Sequence, residues 1–289
     1  MNRPFRCALI QMTPALGLFR ENLERHLAWL RHPEAREADL VVFPELSLTG
    51  YLLQDLVAEV ALSDPEGALG PLLEASRERD LVVGLVLEGP DFLFHNAALY
   101  LSAGRILHVH RKVYLPTYGM FDEGRYFAPG NAFQAFDTPL GRMGILICED
   151  AWHLSASYLY ALQGAHTLLV LSGSPGRGLR VQEAEAASVQ AWERVGQTLA
   201  QFLTVHWVYV NRAGYEDGLA FAGGSYAADP FGNLLLDGAE NVEAAYGVTI
   251  RPSDVRRART LTPLLRDERP DLVLRELEAL LPRRGAPLG

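Results

Sequence analysis

Apolar and polar positions follow two rhythms along this chain. Short, nearly continuous apolar runs stand at 6–11 (RCALIQ), 39–43 (DLVVF), 81–87 (LVVGLVL), 142–147 (RMGILI), 167–171 (TLLVL) and 206–210 (HWVYV). Runs of this length, rich in β-branched residues, predict strands buried on both faces. Between them the spacing lengthens. Leu23, Leu27 and Leu30 predict a helix over 20–31, and similar patterns predict helices over 66–79, 154–163 and 180–204, the last being the longest. Strands 96–101 and 105–111 flank Ala103-Gly104, a hairpin turn. A strand over 133–137 precedes a turn at Thr138-Pro139-Leu140-Gly141, and shorter strands are expected near 225–236 and 244–250. The tail 251–289 carries one amphipathic helix, 271–281, between Pro-containing ends. From Val113 to Asn131 no period holds and Pro, Gly and aromatic residues cluster. Long loops of that kind in compact domains tend to carry function.

No repeat, linker or composition shift divides the 289 residues, so the expected organisation is one α+β domain over 1–289 with helices covering sheets. Apolar residues make up 49% and charged residues 21%, which places the chain among globular proteins. A net charge of −9 argues against nucleic acid as a partner, because phosphate backbones are gripped by clustered Lys and Arg. No apolar run reaches the roughly 18 residues of a membrane span, and the N-terminus lacks a signal peptide's apolar stretch. Two cysteines, Cys7 and Cys148, cannot build a disulfide scaffold or a Cys-rich metal site. The expectation is a cytoplasmic protein with no metal and no cofactor.

Three buried strands run into a reactive polar residue, and strand ends present side chains to a cleft. DLVVF ends in Pro44-Glu45, strand 105–111 ends in Lys112, and GILI ends in Cys148-Glu149-Asp150. A lone Cys after a buried strand is more often inert core than nucleophile. A thiol attacks as thiolate and needs a base, and a carboxylate can serve; an ammonium can hold the oxyanion that follows. Each residue alone is weak evidence. Their order, each inside a distinctive phrase, is stronger.

The phrases F-P-E-L-S-L-T-G-Y (43–51), R-K-V-Y-L-P (111–116) and G-I-L-I-C-E-D-A-W (144–152) resemble the three signatures of the nitrilase, or carbon–nitrogen hydrolase, superfamily. N-R-A-G…G-G-S-Y-A-A-D-P-F-G (211–232) is similar to its closing segment. The resemblance implies a four-layer α-β-β-α sandwich, assembled as a homo-oligomer (a dimer or larger), with a Glu–Lys–Cys triad of Glu45, Lys112 and Cys148. It also implies Glu123 as a second glutamate that positions substrate and lysine. L-P-T-Y-G-M-F-D-E-G-R-Y-F (115–127) and C-E-D-A-W look most like the glutaminase domain of glutamine-dependent NAD synthetases. That resemblance carries substrate contacts onto Tyr51, Tyr118, Phe121, Glu149, Ser174 and Arg180. The residue types suit glutamine, since Arg matches an α-carboxylate while an acid and a hydroxyl match an α-ammonium.

There are departures. Gly176-Arg177-Gly178 follows Ser174-Pro175, where those domains carry a bulkier residue and a lysine. No Ser-Gly-Gly-x-Asp-Ser loop or GxxxxGK[ST] loop occurs, so the chain by itself implies neither NAD synthesis nor use of ATP. The leading expectation is a glutaminase-like amidase that releases ammonia through a Cys148 thioester, with a separate ammonia-using synthetase as a partner. The alternatives are an ω-amidase or N-carbamoyl amino acid hydrolase of another nitrilase branch, and a non-catalytic binding or regulatory subunit. The tail 251–289 is expected at an oligomer interface.

Overall fold

The computed structural model describes residues 3–176, 181–238 and 241–284, with backbone alone for 181–186 and 282–284. Two six-stranded mixed sheets form the centre. In the first, β1 (Phe5–Gln11), β2 (Leu40–Val42), β3 (Asp80–Glu88), β4 (Phe94–Ser102) and β5 (Arg105–Arg111) lie side by side. The second contains β6 (Phe136–Thr138), β7 (Gly141–Ile147), β8 (Thr167–Ser172) and β9 (His206–Asn211). A separate hairpin follows, β10 (Ala213–Glu216) with β11 (Leu219–Ala222). Then β12 (Tyr226–Ala228) pairs with β9, β13 (Leu234–Asp237) extends that sheet, and β14 (Ala244–Ile250) returns to pair with β1. The strand orders are β14-β1-β2-β3-β4-β5 and β13-β12-β9-β8-β7-β6. In each sheet the central three strands are parallel and the outer ones antiparallel.

The doubly apolar runs now have a cause. On β2, Leu40 and Val42 join the core between the sheets, while Val41, and Phe43 just past the strand, join the layer under the outer helices. Cys7 and Leu9 alternate with Ala8 and Ile10 in the same way on β1. Helices α1 (Phe19–Trp29) and α2 (Gly70–Ala75) cover the first sheet; α3 (Leu154–Leu162) and α4 (Val181–Leu203) cover the second. The result is the expected four-layer α-β-β-α sandwich.

Some elements differ from the pattern reading. The helix expected over 66–79 is two short ones, Pro65–Ala68 and α2, because Pro71 lacks an N–H to continue the first. The strand expected over 133–137 is Phe136–Thr138. The tail holds α5 (Pro252–Leu261), a turn of helix at Leu264–Asp267 and α6 (Pro270–Arg284), not one helix. Pro252 and Pro270 start helices, where a missing N–H costs nothing. No helix among the described residues is long and apolar enough to cross a membrane.

Candidate active site

Strands β2, β5, β7 and β8 all end at one edge of the sandwich. Of these, β2, β7 and β8 are the expected buried runs, whereas β5, expected to be buried, is an edge strand with partly exposed side chains because it is the last strand of its sheet. Past β2 the chain turns sharply, with Leu46 at φ +48°. The turn lies flat against Gly84 of β3, where a Cβ would sit 2.4 Å from Leu46 N and 2.7 Å from Pro44 O. That close approach carries Glu45 inward until its side chain is buried.

Glu45 meets three donors. Its Oε1 accepts from Lys112 Nζ and from Asn96 Nδ2, each at 2.8 Å. Its Oε2 accepts from the backbone N–H of Gly173 at 2.7 Å. Lys112, past the end of β5, is fully buried and also donates to Glu123 Oε1 at 2.8 Å. Glu123 opens the short helix Glu123–Tyr126 inside the expected loop and receives the Tyr51 hydroxyl at 2.6 Å. Its Oε2 has no hydrogen-bond partner among the described residues.

Two buried carboxylates around one ammonium leave a surplus negative charge in a dry site, so one acid resists ionisation. The Glu123 carboxyl stands raised to about 7: burial pushes it up most, Lys112 pulls it down and Glu45 pushes it up. Burial opposes the Lys112 charge, but Glu123 and Glu45 hold that ammonium well above the ordinary lysine range.

Cys148 sits past β7 at φ +45°, a strained backbone for a residue with a Cβ. The turn Cys148–Trp152 begins there. Ser172 Oγ donates to Cys148 Sγ at 3.6 Å, and the Tyr209 hydroxyl donates to Ser172 at 3.2 Å. The consecutive residues Ser172 and Gly173 therefore contact Cys148 and Glu45 respectively. Burial, then the neighbouring Glu45 charge, pushes the Cys148 thiol up, against the pull of Lys112. Cys7 is sealed between the sheets, and burial raises its thiol too.

Cys148 lines a cavity of about 340 Å3, whose walls include Tyr118, Phe121, Glu149, Trp152, Ser174 and Trp192. The Tyr118 hydroxyl donates to Glu149 Oε2 at 2.8 Å across it. Ser174 Oγ accepts from the Trp192 indole N–H at 2.9 Å. Tyr51 stands elsewhere. Its hydroxyl is committed to Glu123, and its ring lines a neighbouring cavity of about 460 Å3 together with Phe121 and Glu123. Arg180 lies outside the described residues. Among the described residues, no three His, Cys, Asp or Glu side chains form a group that could hold a metal ion.

Several contacts escaped the pattern reading. Asn96 lies within a strand run and carries no local mark of its partner. Gly173 acts through its backbone, and a Cβ there would lie 3.0 Å from the Tyr51 ring and 3.2 Å from Glu45 Oε2. The buried pair Arg212–Glu216, at 2.7 Å, was also unforeseen: Glu216 Oε1 accepts from the N–H groups of Tyr51 and Leu52.

Comparison with known proteins identifies the family. Residues 6–260 match the family model for carbon-nitrogen hydrolases. The glutamine-dependent NAD(+) synthetase of Thermotoga maritima is 35% identical over 234 residues, covering 80% of this chain and 39% of that protein. The chain thus spans less than half the length of that relative. Among solved structures, the glutamine-dependent NAD+ synthetase of Acinetobacter baumannii superposes with a TM-score of 0.78 at 29% identity, covering 88% of this chain and 47% of that one. A carbon-nitrogen hydrolase from Helicobacter pylori G27 gives 0.79 at 25% identity over 95% of this chain and 99% of that one. With the family model matching across nearly the whole chain and the same fold recurring in those structures, this chain belongs to the carbon-nitrogen hydrolase family.

Proposed function

We propose that the chain hydrolyses the side-chain amide of L-glutamine, releasing ammonia through a thioester on Cys148. One observation carries the reading: Cys148 opens onto a cavity while Ser172 and Gly173, adjacent in sequence, tie it to the Glu45–Lys112–Glu123 cluster.

In the first half-reaction Cys148 Sγ attacks the amide carbon and Glu45 takes the thiol proton as the S–C bond forms. Burial disfavours a free thiolate at Cys148, so proton transfer accompanies attack. Lys112 and the backbone N–H of Glu149 hold the oxyanion. The C–N bond then breaks, Glu45 gives its proton to the nitrogen, and ammonia leaves. In the second half, Glu45 takes a proton from water, the resulting hydroxide adds to the thioester carbon, and the C–S bond breaks. Cys148 recovers its proton and glutamate departs. Glu123 holds Lys112 through a second hydrogen bond beside that of Glu45.

Glutamine is favoured over other amides by two supports. Two of the relatives above are glutamine-dependent NAD+ synthetases. The hydroxyl of Tyr118 and the carboxylate of Glu149 form a polar pair at the cavity, fit for an α-ammonium. The ammonia released would serve a separate ammonia-using synthetase. We also propose a homo-oligomer, supported by the half-exposed or more exposed Leu274, Leu277 and Leu281 of α6, and checked by light scattering on the eluted protein.

The test is ammonia release from L-glutamine, L-asparagine, a set of ω-amides and N-carbamoyl-β-alanine, with Cys148→Ala as the blank. Selective turnover of glutamine supports the reading. Turnover of an ω-amide or a carbamoyl compound with glutamine inert moves the chain to another nitrilase branch and keeps the Glu–Lys–Cys chemistry.

A further inference from the structure

Asp150 is fully buried two residues past Cys148, and all of its acceptor capacity is used. Oδ1 accepts from the N–H groups of Val113 at 3.0 Å and Tyr114 at 2.9 Å. Oδ2 accepts from Ile147 N–H at 3.1 Å and from His110 Nε2 at 2.9 Å. Val113 and Tyr114 directly follow Lys112, and His110 stands two residues before it. Ile147 directly precedes Cys148. One carboxylate thereby spans the two chain segments that present Lys112 and Cys148, and it touches neither cavity described above.

We propose that Asp150, with His110 as its partner, is a positioning pair that sets the Cys148 turn in register with Lys112. The inference rests on the reading of Cys148 as nucleophile. Its physical basis is the donor count. A carboxylate only accepts, and four donors converge on it in a site without bulk water. Cys148 holds a left-handed backbone angle that a residue with a Cβ adopts only when its surroundings impose it. The Ile147 N–H bond fixes the residue before that turn. The Val113 and Tyr114 bonds fix the exit of β5 on the other side. Asn at 150 fails on electrostatics alone: its amide presents N–H to one of the two donor pairs while keeping the shape.

The experiment compares wild type, Asp150→Asn and His110→Asn in thermal melting, in kcat and KM for ammonia release, and in the alkylation rate of Cys148 by iodoacetamide, read by peptide mass spectrometry. A misplaced turn at the reacting centre predicts a kcat lower by about 10²-fold in Asp150→Asn, with KM changed by less than about threefold. Cys148 alkylation slows in the same variant. If Asp150→Asn does not fold, His110→Asn carries the test, since it removes one donor and leaves the other three bonds; its kcat falls by about tenfold with melting near wild type. A folded variant with wild-type kcat and wild-type alkylation overturns the positioning role. Wild-type Cys148 that alkylates no faster than Cys7 overturns the nucleophile reading itself, and this inference with it.

Discussion

The Tyr51 hydroxyl donates to Glu123 Oε1 at 2.6 Å, and that same oxygen receives Lys112 Nζ. Tyr51 therefore bears on the reaction through the charge of Glu123. The Glu123 carboxyl, pushed up to about 7 by burial, changes charge within the working pH range. We expect kcat/KM to rise through an inflection near pH 7 as Glu123 ionises and fully engages Lys112. Glu123→Gln removes that inflection. Tyr51→Phe takes away a bond to the ionised form and moves it to higher pH. An identical inflection in Glu123→Gln assigns it to another group.

Stability carries a second pH signature. His26 of α1 is buried, with Nδ1 2.6 Å from Asn22 O and Nε2 3.0 Å from Ser47 Oγ. Its ring lies 4.2 Å from that of Phe43, two residues before Glu45. Burial lowers its pKa to about 4 from an ordinary 6.5, so the fold takes it neutral. A depressed folded pKa contributes stability that is present above 6.5 and lost as pH falls toward 4, worth about 3 kcal/mol when complete. Burial places His108 at about 4 as well, which adds to the same slope. Glu123 works in the opposite sense: its raised pKa favours the fold at low pH, and that contribution is lost as pH rises through about 7. Urea unfolding across pH 4–7 should show a weaker acid-side loss in His26→Gln than in wild type; parallel curves would contradict this assignment.

The flat contact between Gly84 and the Glu45 turn makes a steric prediction. A methyl group there meets backbone atoms of residues 44 and 46, which cannot rotate away. Gly84→Ala should destabilise by about 1–3 kcal/mol, the usual range for overpacking, and should also lower kcat because Glu45 shifts with its turn. Denaturation midpoints and kinetics on the same preparation check it. Wild-type values in both would mean that the strand yields at no cost.

At the cavity, Tyr118 and Glu149 are proposed to recognise the substrate's ammonium. Glu149→Gln removes a charge that pairs with it, so KM for L-glutamine should rise by about tenfold or more, as the loss of a charged hydrogen bond implies. The kcat should fall less. Tyr118→Phe should show a smaller rise. A change confined to kcat would place Glu149 in the chemistry and not in recognition.

Strands β2, β7 and β8 were legible because each is buried on both faces and reads as a nearly unbroken apolar run, whereas the edge strand β5 was legible from the Ala103-Gly104 turn that joins it to β4. Glu45 and Cys148 were legible because each ends such a run, and Lys112 because it stands at the end of β5 inside the phrase R-K-V-Y-L-P. Asn96 and Asp150 were not, because their partners are supplied by register and by chain segments distant in sequence. The hairpin β10–β11 turns at Asp217-Gly218, both at positive φ, a two-residue signal that the short flanking strands obscured. Tyr51 follows the Glu45 signature in sequence, and only the fold shows its hydroxyl turned toward Glu123.

The central claim is a covalent thioester on Cys148. It is tested most directly by mixing the protein with excess L-glutamine, quenching in acid within the first turnovers and mapping the peptides by mass spectrometry. The account predicts a glutamyl adduct on the peptide that carries Cys148, absent in Cys148→Ala. It also predicts that Glu45→Ala lowers adduct formation by at least about 10²-fold, as lost acid–base catalysis does. Ammonia released at the wild-type rate by Cys148→Ala, or an adduct on any other residue, would contradict it.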